Sequence, residues 1–145
     1  MNQYISLNVN TEYSMGYGIC RIEDLVDKAV NTGMLCLAKT DYGKNGFYGV
    51  IDFYNQCKKA RIKPIIGIKT TVIEFKEHEF ILIVKNLNGY YKLCQMFNKQ
   101  DIPSINDIFN NAKSFVVVLD TDKDLYKAKC FYSLLRFLRE IFTYH

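Results

Sequence analysis

The sequence predicts an α/β fold of mostly parallel strands joined by crossover helices. Three observations lead there. Apolar, β-branched runs recur at residues 3–9, 35–38 and 64–72, spaced about thirty residues apart. Stripes of apolar residues at helical spacing fall between them. The connections are too long for hairpins, so the strands lie parallel with right-handed crossovers. The 145 residues suffice for one domain, and 49% hydrophobic with 23% charged residues reads as globular rather than disordered.

The first strand, residues 3–9, ends in polar side chains. Asn8 and Asn10 share one face, because side chains alternate along a strand. A polar pair at a strand exit stands where α/β proteins build their sites. Ile22, Leu25, Val26, Ala29 and Val30 then recur at helical spacing, with Glu23 and Asp24 suited to the positive end of the helix dipole and Gly33 as the stop. Residues 35–38 read as a buried strand with a polar exit at Lys39, Thr40 and Asp41. A second helix covers residues 47–60. At its end Lys58, Lys59, Arg61 and Lys63 cluster; this is either favourable charge at a helix C-terminus or a phosphate contact. Residues 64–72 form a third strand and residues 80–84 a fourth, wholly apolar and therefore central. Asn86, Leu87, Asn88 and Gly89 turn into a helix carrying Tyr90, Leu93, Cys94 and Phe97. A short helix starts near Ser104, and residues 115–119 are a fifth strand. These elements make residues 1–121 one domain. Residues 122–145 carry Phe131, Leu134, Leu135, Leu138, Ile141 and Phe142 as an amphipathic helical stripe, which packs on the domain or marks a truncation.

Composition narrows the function. The net charge of +4 permits nucleic-acid contact without demanding it. The five cysteines are odd in number and contain no Cys-x-x-Cys pair, which excludes zinc-ribbon and thioredoxin-like readings and suits buried thiols of a cytoplasmic protein. Polar Asn2 and Gln3 after Met1 do not begin a signal peptide, and no apolar run nears the ~20 residues of a membrane span.

An ordered series of motifs then points to a family. Thr11-Glu12-Tyr13-Ser14, Arg21-Ile22-Glu23-Asp24-Leu25-Val26, Gly33-Met34, Thr40-Asp41-Tyr42-Gly43, Phe53-Tyr54-Asn55-Gln56-Cys57-Lys58-Lys59-Ala60, Ile62-Lys63-Pro64-Ile65-Ile66-Gly67 and Lys85-Asn86-Leu87-Asn88-Gly89-Tyr90 follow one another with conserved spacing. The chain thereby resembles the N-terminal PHP (polymerase and histidinol phosphatase) domain of bacterial DNA polymerase III alpha subunits, the C-family replicative polymerases. The likeness holds from about residue 4 to 93, and more loosely to 119.

The resemblance implies a partial (β/α)7 barrel. It also implies a metal site, and here the chain departs from the pattern. The two motif His positions are Asn8 and Asn10, the acidic position before Gly18 is Tyr17, and the His of Thr-Asp-His-Gly is Tyr42. The Glu after Ile-Ile-Gly is Lys69, and the His of the fourth strand is Glu79; Asp41 is retained. Family members with intact ligands bind Zn or Mn, and the parent polymerase uses Mg. Amides, phenols and an ammonium group suit no such ion, so no cofactor and no catalytic residue is expected in this segment. Asn8, Asn10, Asp41 and Glu79 holding a weak hard cation is the alternative for the site. Lys69 paired with Asp41 or Glu79 is the structural expectation.

Three functions follow. The first is a non-catalytic PHP segment of a replicative polymerase, a scaffold whose partners are the rest of the alpha subunit, a proofreading exonuclease subunit as a candidate, and DNA through the parent complex. The second is an active metal-dependent phosphoesterase or 3′–5′ exonuclease. The third is a stand-alone remnant that acts by binding only.

Overall fold

A computed structural model describes residues 5–120. The chain runs α1 (Ile22–Asn31), β1 (Cys36–Lys39), a 3-10 turn (Gly43–Phe47), α2 (Val50–Lys59), β2 (Lys63–Val72), β3 (Phe75–Val84), α3 (Leu87–Lys99), α4 (Ile105–Asn110), a second 3-10 turn (Ala112–Ser114) and β4 (Phe115–Asp120). The four strands form one sheet in the order β1-β2-β3-β4.

Mostly parallel pairing is corrected here. β1 pairs with β2 in parallel, but β2–β3 and β3–β4 are both antiparallel. The cause is local. β3 begins at Phe75, only two residues after β2 ends, and a two-residue connection can join only antiparallel neighbours. The charged run from Lys76 to Glu79 hid this half of β3 from a hydrophobicity reading. Its central position, expected from the apolar residues 80–84, is found. Among the described residues the sheet is open, with β1 and β4 at its edges, and does not close into a barrel.

The first strand is also corrected. Residues 5–10 form no regular strand. Their link to the sheet is at Val9, whose carbonyl accepts from Thr40 N at 2.9 Å and whose N–H donates to Thr40 Oγ1 at 2.8 Å. The second helix starts at Val50, because Gly49, at φ 69°, separates it from the 3-10 turn. A side chain at position 49 would lie 2.3 Å from the Tyr13 ring, so the helix start and the N-terminal loop meet only around glycine. The proposed helix of residues 122–145 lies outside the described residues.

Two helix ends share one hydrogen-bond motif. After α1, Gly33 N donates to Val30 O and Met34 N to Ala29 O; after α2, Arg61 N donates to Lys58 O and Ile62 N to Cys57 O. The residue between cap and exit is left-handed in both, Gly33 at φ 68° and Arg61 at φ 59°. For an arginine that conformation costs roughly 1–2 kcal/mol.

The apolar side chains form two clusters. One joins Ile68, Val72, Phe80, Leu82 and Phe115 of the sheet to Leu93 and Phe97 of α3 and Ile105 and Ile108 of α4. The other joins Ile22, Val26 and Ala29 of α1 to Leu37, Phe53, Cys57 and Ile62. The expectation of buried cysteines holds for Cys57 alone among the described four: Cys20 is exposed, and Cys36 and Cys94 are half-buried. Cys130 lies outside the described residues.

Candidate functional site

β1 ends by carrying Lys39, Thr40 and Asp41 into the interior, all three with no exposed surface. Asp41 is the centre of a hydrogen-bonded knot. Its Oδ1 accepts from Thr11 N at 2.5 Å and Ser14 Oγ at 2.6 Å, and its Oδ2 accepts from Thr11 Oγ1 at 2.7 Å. The Lys39 ammonium lies 2.5 Å from the same Oδ2. Lys39 also donates to the Gly46 carbonyl at 2.8 Å and stands 5.5 Å from the centre of the Tyr13 ring. Burial pulls the Lys39 ammonium below the usual lysine range, opposed by its hydrogen bond to Asp41 and by that carboxylate's charge. The retained carboxylate of the motif is thus fully engaged by its own chain.

Lys39 was missed as a site residue. The signal was present: a lysine at the end of an apolar strand run, two positions before an aspartate and so on its face. Thr11 and Ser14, which the sequence shows only as motif residues, are the donors that close the knot.

A second layer lies beside it. Tyr42 bridges Lys69 across the parallel pair, and Lys69 N donates to the Asp41 carbonyl at 3.0 Å. Lys69 Nζ sits 2.7 Å from Glu79 Oε2. Glu79 faces Thr71 in the register, so the contact with Lys69 is diagonal across β2 and β3. The pairing expected for Lys69 therefore falls on Glu79, while Asp41 is held by Lys39. Tyr17 stacks on Tyr42, ring centres 5.1 Å apart and planes 16° from parallel. Asn10 packs against Gly18, next to Tyr17, and its Oδ1 is buried with no partner among the described residues. Asn8 is exposed.

Five of the six substituted ligand positions thus touch one another or adjoin: Asn10, Tyr17, Tyr42, Lys69 and Glu79. Among the described residues no group of three His, Cys, Asp or Glu side chains could hold a metal ion. Lys58, Lys59, Arg61 and Lys63 lie apart from this site, all exposed, around the end of α2. No helix among the described residues is long and apolar enough to cross a membrane.

With this geometry in place, the comparisons with known proteins are specific. A family model, the PHP domain, matches residues 6–137. The chain is similar to the DNA polymerase III subunit alpha of Buchnera aphidicola subsp. Schizaphis graminum, 35% identical over an alignment of 103 residues that covers 68% of this chain and 9% of that one. The subunit alpha of Halalkalibacterium halodurans is 36% identical over 94 residues, 63% of this chain and 8% of the relative. That of Ureaplasma parvum serovar 3 is 28% identical over 129 residues, covering 89% and 13%. The chain thus spans only about a tenth of the length of the curated relatives it matches.

Proposed function

The chain belongs to the PHP domain family, and from that premise we propose that it is the PHP segment of a DNA polymerase III alpha subunit, working in DNA replication with its metal site lost. Its role is then structural: it supports the polymerase body and offers a docking surface, with the rest of the alpha subunit as its first partner and a proofreading exonuclease as the second. A cytoplasmic location follows from that role.

The observation that carries this reading is Lys69 on Glu79. A divalent ion about 4 Å from an ammonium group is repelled by roughly 8 kcal/mol at an effective dielectric of about 20. Among the described residues of the outer layer, the Glu79 carboxylate is already neutralised by that lysine. Asn10 offers a neutral amide, and the Tyr17 and Tyr42 rings face each other. The residues present do not fit a Zn, Mn or Mg ion, so no metal-bound hydroxide forms here at neutral pH. Nucleotidyl transfer belongs to the parent polymerase and not to these residues.

The experiment is a metal and hydrolysis assay on the 145-residue chain. After incubation with Mn or Zn and desalting, we expect no stoichiometric metal and no phosphate-ester or 3′-end hydrolysis above blank. Tight stoichiometric zinc, or hydrolysis abolished by a chelator and by Glu79→Gln, overturns the reading. Co-purification with the remainder of an alpha subunit tests the scaffold role separately.

A further inference from the structure

We propose that the end of α2 and the start of β2 form a contact surface for the phosphodiester backbone of DNA. The inference rests on the replication reading above and gives that reading a surface. Lys58, Lys59, Arg61 and Lys63 fall within one short stretch and all are exposed. Among the described residues none of them meets a carboxylate, whereas Lys39, Lys44 and Lys69 each do.

Charge compensation at the helix end does not account for all four. The dipole acts within the last turn, and Lys58 and Lys59 already supply that charge. Arg61 and Lys63 lie beyond the helix. Arg61 also occupies a left-handed backbone position that Gly33 fills in the same motif after α1. The chain keeps a guanidinium where glycine is the relaxed choice, and a guanidinium matches phosphate oxygens with a two-pronged fork. One turn earlier Tyr54 is 43% exposed, with Lys58 Nζ 5.9 Å from the centre of its ring. An exposed ring among cations that meet no carboxylate among the described residues combines base stacking with backbone neutralisation, the two contributions that bind nucleic acid without sequence preference.

The test is fluorescence anisotropy of the 145-residue chain with a short labelled DNA duplex, its single strand, and phosphatidylserine vesicles as competitor, across about 50–200 mM salt. For the duplex the slope of log K against log salt should be roughly −3 to −4, about −0.9 per phosphate neutralised. Arg61→Gly should bring the slope about one closer to zero while keeping or raising the melting temperature. Joint substitution of Lys58, Lys59 and Lys63 by Gln should remove the rest. No DNA binding, slopes unchanged in both variants, or vesicles that displace DNA at equal charge each overturn the proposal. The two readings fail separately. Assembly with the alpha subunit but variant-insensitive DNA affinity sinks this surface alone; variant-sensitive affinity without assembly sinks the scaffold role alone.

Discussion

A buried ammonium group is expensive unless its charge and its hydrogen bonds are met. Lys39 meets both requirements with Asp41 and the Gly46 carbonyl, and Asp41 in turn collects donors from Thr11 and Ser14. Removing one partner strands the other charge. Lys39→Met should therefore lower unfolding free energy by about 3–5 kcal/mol, read as a lower urea midpoint; a loss under about 1 kcal/mol would mean that the pair contributes little. Asp41 and Lys69 stand out in the sequence at this scale because each sits at a fixed offset in a motif, whereas Lys39 does not. The partners were not legible. Whether Lys69 reaches Asp41 or Glu79 depends on the β2–β3 register, and nothing local to Lys69 encodes that register.

Among the elements, those with a complete local signal were read correctly. α1 has its apolar stripe, its acidic first turn and Gly33; α4 has Ser104 and Asp107, which form a reciprocal capping box. That box is extended by Gln100, which donates to Asp107 Oδ2 at 2.8 Å, and by Glu74, which accepts from Ile105 N at 2.8 Å. Ser104→Ala should cost about 1 kcal/mol, measured as a shift in the denaturation midpoint. An unchanged midpoint would mean that Glu74 alone suffices to hold the start of α4. The misread elements lacked such a signal. Residues 5–9 alternate like a strand yet form no regular strand, and Val9 bonds to Thr40 at the end of β1. The orientation of β3 lies in the two-residue turn at Ile73 and Glu74, outside the apolar run of residues 80–84.

For the whole molecule, the α/β class was legible and the pairing pattern was not, since strand direction is a property of connections rather than of strands. Global stability should also carry a mark of Cys57, buried in the α1–α2 cluster. Burial pushes its thiol up to about 11. The folded state therefore holds this proton more tightly than the unfolded chain. Stability is complete below about pH 9 and falls as the pH rises towards 11, by up to about 3 kcal/mol for a shift of this size. Urea midpoints across that range should drop, and the drop should be shallower in Cys57→Ala; parallel profiles would refute the assignment.

One strand lies between the two apolar clusters. β2 gives Ile68 and Val72 to the first and lays Ile66 against the second, pairing with β1 on one side and β3 on the other. A load applied to either half is thus borne by the same backbone. A partner that grips β2 at Lys63 therefore holds the same strand that carries Lys69, so the entry of the strand and the former ligand position share one continuous backbone.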